Sequence, residues 1–200
     1  MPIIIDCEQR SPQWFQERLG KPSASRFGEI LTPTGEVSKQ RKGYMYDLAA
    51  QIVSGQSPET YTSAAMEEGI RREEESRKLY EMIYGVEVRQ VGMIFPDEKK
   101  KYLCSPDGLR TDEIGLELKN VLPKTQVEYL LSKKLPSIYI PQVQGSMLVT
   151  GFKQWHFMSY CPSLPPLILE IDRDEKWIEK CEKELTQFNE ELLSTVEKLK

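Results

Sequence analysis

The chain contains one histidine, His156. Mechanisms that pair a histidine base with histidine metal ligands are therefore excluded, and His156, inside Gln154-Trp155-His156-Phe157, is expected to pack in a strand. Cysteine is sparse: Cys7, Cys104, Cys161 and Cys181 lie far apart, and no C-x-x-C occurs. Neither a zinc site, a redox pair nor an iron–sulfur cluster is suggested by that scatter. The four are expected as reduced, buried small hydrophobes of a cytoplasmic protein. No glycine-rich loop ending in Lys-Ser/Thr is present, which argues against hydrolysis of nucleoside triphosphates. No G-x-S-x-G elbow occurs. No run approaches the roughly 20 apolar residues that span a bilayer. The start, Met1-Pro2-Ile3-Ile4-Ile5-Asp6, lacks the basic end and long apolar core of a signal peptide and reads as an edge strand or an arm. An excess of positive charge is also missing. The formal net charge is −4, which speaks against a protein that simply coats nucleic acid. A nuclease tolerates that balance, because its acids gather at a metal and its bases can be local.

The 200 residues are enough for one domain, 1–200, with a proper core. The chain opens with helical signals. Ser11-Pro12 is a cap followed by a first-turn proline, and Gly20 ends the stripe Trp14, Phe15, Leu19. A second start at Ser23-Ala24-Ser25 leads to Phe27, Ile30 and Leu31. The basic cluster Lys39, Arg41, Lys42 opens a third helix through Tyr44, Met45, Leu48, Ala49 and Ile52. A long helix is expected over 63–84, with Met66, Ile70, Leu79 and Ile83 at helical spacing and Glu73, Glu74, Glu75 at its middle. Alternation then predicts one strand through Val86, Val88, Val91, Met93 and Phe95, another from Tyr102 to Cys104, and a third over 116–121. Helices over 125–132 and 139–150, strands over 153–160 and 167–171, and an amphipathic helix over 174–200 complete an α/β fold with a mixed central sheet flanked by helices.

The chemistry concentrates in Ser105-Pro106-Asp107-Gly108-Leu109 and Gly115-Leu116-Glu117-Leu118-Lys119. Asp107 stands at the mouth of a turn. In a strand, Glu117 and Lys119 share one face, while Leu116 and Leu118 point to the other. Two carboxylates and one ammonium on one spot are costly to hold together unless a cation is shared, and a divalent metal is the obvious one. An isolated E-x-K is more often an ordinary ion pair on a wet hairpin; the preceding Asp-Gly and the leucines favour function. Asp107 and Glu117 are the expected ligands of Mg²⁺, with Mn²⁺ as a substitute, and the carbonyl of Leu118 could add an oxygen. Lys119 is placed to hold the attacking water and face a phosphate. A third acid would come from the long helix, where only one or two of Glu73, Glu74 and Glu75 can face the sheet. Metal-assisted attack of water on a phosphodiester fits this set.

The pattern Asp107…Glu117-Leu118-Lys119, with Pro106 ahead of it, resembles the signature of the PD-(D/E)xK nucleases. More of the chain resembles the bacteriophage lambda exonuclease group and the related YqaJ-type viral recombinases. The matching blocks are Trp14 to Gly20, Ser23 to Ser25, Gly69 to Glu73, Cys104 to Leu109, Gly115 to Lys119, Gln142 to Met147 and Glu170 to Lys176. This resemblance implies a restriction-endonuclease-like core. It implies Asp107, Glu117 and Glu73 as metal-binding acids, the Leu118 carbonyl as a further ligand, Lys119 as the residue that positions the nucleophile, and Gln142 on an active-site helix. It implies that Arg18, Ser25 and Ser105 engage the 5′-phosphate of DNA. Lys124 stands near where the family has a second phosphate-binding arginine. The implied activity is 5′-to-3′ digestion of one strand of duplex DNA, from its ends, by a ring-shaped homotrimer. The remaining 3′ strand passes to a single-strand annealing protein for phage or prophage recombination, with no membrane involved. The alternatives are another PD-(D/E)xK DNase, such as a RecB/Cas4-like single-strand exonuclease or a structure-specific endonuclease, or a non-catalytic DNA-end binder.

Overall fold

The structure, a computed structural model, describes the backbone of residues 1–57 and 64–200 and the side chains of 1–57 and 71–200. Met66, Ile70 and the Gly69 end of its block therefore lie outside the described side chains. A short strand β1 (Ile3–Ile5) is followed by helix α1 (Pro12–Arg18), a 3₁₀ turn at Ala24–Glu29, α2 (Arg41–Ser54) and α3 (Ala64–Tyr84). Then come β2 (Met93–Phe95), β3 (Gly108–Leu109), β4 (Ile114–Asn120), α4 (Pro123–Ser132), α5 (Ile140–Thr150), β5 (Gln154–Tyr160), β6 (Leu167–Asp172) and α6 (Glu175–Glu197). No helix among the described residues is long and apolar enough to cross a membrane.

The main sheet has the order β3-β4-β5-β6 and is mixed, with β4 and β5 parallel and both outer pairs antiparallel. Strands β4 and β5 run parallel because α4 and α5 supply the long crossover that such a pair requires. The period of β4 divides its side chains as expected. Leu116 and Leu118 join Tyr80 of α3, Val88 and Met158 in one apolar cluster. Gly115, Glu117 and Lys119 face the other way, toward α5. That second face rests on the larger core, which includes Phe27, Tyr44, Val143, Met147, Trp155 and Phe188. Helix α6 closes this core with the residues its periodicity marks, Trp177, Cys181, Leu185, Phe188, Leu192 and Val196, all buried. Asp174 caps it by accepting from the Trp177 N–H at 3.1 Å.

Gly115 is needed where β4 passes the Trp155 ring. A Cβ there would lie 2.2 Å from a ring carbon. Gly115→Ala should cost about 1–3 kcal/mol through overpacking, seen as a lower denaturant midpoint at an unchanged slope.

The structure departs from the sequence expectations where partners change along a segment. The run from Val86 to Phe95 is not one strand. Arg89 exchanges backbone bonds with Leu109, Gly92 donates to Ile5, and Val88 donates to the Glu81 carboxylate, so only Met93–Phe95 forms a ladder, with β1. Tyr102 to Cys104 gives isolated bridges: Leu103 donates to Pro22 while Cys104 pairs with Ile94. The 125–132 helix begins earlier, with Pro123 in its first turn. The 139–150 helix is preceded by a 3₁₀ turn at Ser137–Tyr139. Three cysteines are buried, but Cys7 is half-exposed. Arg41, of the basic cluster that opens α2, ties α2 to α6 through Glu191 at 2.5 Å.

Candidate active site

Strand β4 is bordered by β3 only as far as Leu116, because β3 is two residues long. Beyond it the edge of β4 lies open to Asp107. The Asp107 carboxylate accepts the Leu118 N–H at 2.6 Å, and the Asp107 N–H donates to the Leu116 carbonyl at 3.1 Å. Successive residues of a strand direct their backbone groups to alternate edges, and each residue directs both of its own to the same edge. The Leu118 carbonyl therefore emerges on the Asp107 side. Meanwhile Glu117, only 2% exposed, receives the Lys119 ammonium at 2.5 Å and the Gln142 amide at 2.6 Å on the same oxygen. Gln142 points into the site from α5. Gln144, two residues on, turns away to the backbone of Asp172 and Asp174, as the helical turn between them requires.

The electrostatics are those of a site short of positive charge. Burial holds the Asp107 carboxyl well above the usual carboxylate range, and the neighbouring Glu117 adds to it against the pull of Lys119. Burial likewise raises Glu117, opposed by Lys119 and Gln142. For Lys119, burial works against the ammonium, yet Glu117 and Asp107 outweigh it, and the net shift is upward. Lys119 is thus held as an ammonium, a charged hydrogen-bond donor and not a base. The ammonium also sits 5.2 Å above the Tyr139 ring.

Glu73 is the half-buried member of its glutamate run. Glu74 is exposed and pairs with Lys78 at 2.6 Å, and Glu75 is exposed. Glu73 is close enough to push both Asp107 and Glu117 upward, but its two oxygens are taken by Arg77 at 3.1 Å and Arg10 at 3.5 Å. Among the described residues no three His, Cys, Asp or Glu side chains cluster closely enough to hold a metal. The donor set here is the carboxylates of Asp107 and Glu117 and the Leu118 carbonyl. All are oxygens, and the one ammonium of Lys119 faces both carboxylates, a set that fits a hard divalent cation that keeps several waters. Glu73→Ala should lower turnover more than Glu75→Ala when both are assayed on linear duplex DNA, because only Glu73 is felt by the acid pair; equal losses would mean that Glu73 has no part in the site.

The expected phosphate residues converge next door. Arg18, Ser25 and Ser105 line a cavity of about 150 Å³, space for several water molecules. Gln142 lines it too. Arg18 stacks 4.2 Å from the Trp14 ring and donates to the Ser105 hydroxyl at 3.2 Å. Burial lowers its guanidinium to about 10, still charged at neutral pH, and among the described residues no carboxylate pairs with it. Ser105 Oγ accepts from both Arg18 and the Trp14 indole and donates its proton to the Gly92 carbonyl at 2.7 Å. Its place is therefore to hold Arg18. Ser25 is exposed at the cavity and shares a 3.0 Å hydrogen bond with Ser23. Lys124, by contrast, lies exposed on the first turn of α4 and does not line the cavity.

A family model described as the YqaJ-like viral recombinase domain matches residues 13–153. The chain belongs to that family. No curated protein sequence matches it. Among solved structures, an alkaline exonuclease (LHK-Exo) from Laribacter hongkongensis is 32% identical over 94% of this chain and 96% of its own, with a TM-score of 0.84. The same protein in complex with dAMP matches at 31% identity, the same shares of each chain and the same score. A phage related exonuclease from Haemophilus somnus 129PT, 13% identical over 90% of this chain and 96% of its own, shares the fold at a TM-score of 0.69. The recombinase-family domain therefore has the restriction-endonuclease-like arrangement that its acid and lysine pattern implied.

Sequence reasoning missed two arginines of this site. Arg77, buried, donates to the Asp107 carbonyl at 3.2 Å and to Glu73, and with the Gln90 amide turned to present its oxygen it binds that residue as well. Its position one helical turn after Glu73 was the available signal. Arg10 lines the cavity beside Arg18, and no local pattern marked it.

Proposed function

We propose that the protein is a metal-dependent exonuclease that degrades one strand of duplex DNA from its 5′ end, releasing mononucleotides. The observation that carries this reading is Gln142. One side chain both lines the cavity that holds the unpaired Arg18 and donates to Glu117. A cavity suited to a phosphate thus adjoins the acid–lysine cluster, and a strand end anchored in the first presents its nearby phosphodiester to the second. The family membership and the likeness to an alkaline exonuclease support the same reading, as does the dAMP bound to that relative.

Asp107, Glu117 and the Leu118 carbonyl would hold Mg²⁺, or Mn²⁺ in its place, with Glu73 adding negative charge from α3. When bound, such an ion polarises the phosphoryl oxygen and lowers the pKa of water. The remaining work falls to the chain itself. Lys119 orients the attacking water and donates to the phosphoryl oxygens as they gain charge. Gln142 fixes the Glu117 carboxylate. Arg18, held flat by Trp14 and Ser105, anchors the terminal phosphate with Ser25 at the rim. A trimeric ring around the duplex and delivery of the 3′ strand to a single-strand annealing protein extend the proposal, and their support is the family membership alone.

The test is a linear duplex labelled at one 5′-phosphorylated end, incubated with Mg²⁺ or with EDTA. Labelled mononucleotide released only with metal is the expected result. Nicking of a closed circle would indicate an endonuclease, and binding without cleavage would indicate an end binder. Arg18→Ala should slow 5′-phosphorylated duplex about tenfold or more relative to 5′-hydroxyl duplex, as expected for a charge-assisted hydrogen bond; equal slowing of both substrates would place Arg18 in folding rather than recognition.

A further inference from the structure

We infer that Arg10 is a second cation for the strand-end phosphate and that it makes the cavity selective for a terminal over an internal phosphate. This rests on the reading of the cavity as a phosphate site. A phosphate monoester carries about 1.5 to 2 negative charges at neutral pH, whereas each internal diester carries one. Arg18 alone matches a diester. The cavity gains its second positive charge from Arg10, which lines it from the turn before α1.

Arg10 is free to serve there. Its carboxylate contact is to Glu73 at 3.5 Å, and its side chain is 44% exposed, conditions under which an ion pair contributes little. Glu73 is not left unpartnered when Arg10 departs, because Arg77 holds its other oxygen at 3.1 Å. The backbone at Arg10 has φ +67°, a left-handed conformation that glycine adopts without strain and a long side chain does not. The turn is also fixed in place. The Gln9 amide next to it donates to the carbonyls of Val91 at 3.0 Å and Pro106 at 2.9 Å, and Pro106 is the residue before Asp107. The root of Arg10 is thereby held to the segment that carries the catalytic acid. Moving from Glu73 to a bound monoester, Arg10 would link filling of the cavity to the charge beside the acid pair.

The test compares wild type, Arg10→Gly, Arg10→Lys and Arg18→Ala. Rates of mononucleotide release are measured on duplexes with 5′-phosphate and 5′-hydroxyl ends, with inorganic phosphate as competitor and a thermal melt of each variant. In Arg10→Gly the ratio of the two rates should fall about tenfold, inhibition by inorganic phosphate should weaken alike, and the melting temperature should hold or rise because glycine suits the turn. Arg10→Lys should recover part of the ratio. A wild-type ratio in Arg10→Gly beside a lost ratio in Arg18→Ala would overturn the role of Arg10 and leave the cavity reading standing. A wild-type enzyme indifferent to the 5′ end and to inorganic phosphate would overturn both. A ratio lost only together with the fold, in Arg10→Gly and Arg10→Lys alike, would also overturn the assignment.

Discussion

Lys119→Ala is expected to cut mononucleotide release by about 10²–10⁴-fold, the range for a group that handles a proton or charge in the transition state, while duplex binding persists. The reason lies in the position of the ammonium, 2.5 Å from Glu117 and held protonated by two carboxylates. Its removal takes away the donor that steadies the developing charge. It does not take away an oxygen that a metal would use. The variant should therefore bind Mn²⁺ at least as tightly as wild type, since a competing cation has left the acid pair. It should also melt lower without metal, because Glu117 is left buried with one partner fewer, and show a larger upward shift on adding Mg²⁺. Lys119→Arg should not restore turnover, because a planar fork does not replace a compact point charge in an enclosed site. Single-turnover assays and melts with and without Mg²⁺ check this set; near-normal turnover in Lys119→Ala would remove the lysine from the chemistry.

The second large effect belongs to Asp107→Asn. Turnover should fall by about 10³-fold or more, the loss that follows when several kcal/mol of metal-derived stabilisation disappear. The metal-free protein should become more stable at the same time. Asparagine keeps an oxygen for the Leu118 N–H, now served at 2.6 Å by Asp107, but it brings no charge into a desolvated site already holding Glu117. The pH dependence follows from the raised carboxyl of Asp107. The folded protein holds this proton more tightly than the unfolded chain, so stability from this group is full below the ordinary carboxylate pKa and is lost as pH rises through the raised value. The advantage of Asp107→Asn over wild type should thus be largest at neutral and alkaline pH and should shrink toward pH 4. Melting curves in EDTA across that range measure it. An unchanged difference at every pH would mean that Asp107 is not strained by its surroundings.

Much of this site was legible in the sequence because its order is local. Glu117 and Lys119 lie two apart on one strand, and the period of that strand decides their common face whatever surrounds it. Gln142 and Gln144 lie two apart on one helix, so at most one could enter the site. The helices announced themselves through Ser11-Pro12 and the long stripe of α6. What could not be read depended on partners distant in sequence. The Val86–Phe95 run alternates like one strand, but its backbone bonds go to Leu109, Ile5 and Glu81 in turn. Lys124 looked available for phosphate, yet α4 starts at Pro123 and carries it away from the cavity. Glu73 is the half-buried glutamate of its run, but its engagement by Arg77 and Arg10 is a tertiary fact, since Arg10 comes from a turn 63 residues earlier.

The most direct test of the acid cluster is anomalous diffraction from crystals of the protein soaked in Mn²⁺. The expected result is a manganese peak within coordination distance of the carboxylates of Asp107 and Glu117 and the carbonyl of Leu118, absent in Asp107→Asn. A peak bound elsewhere, or none at Asp107 and Glu117 in crystals of protein that digests DNA, would contradict the account.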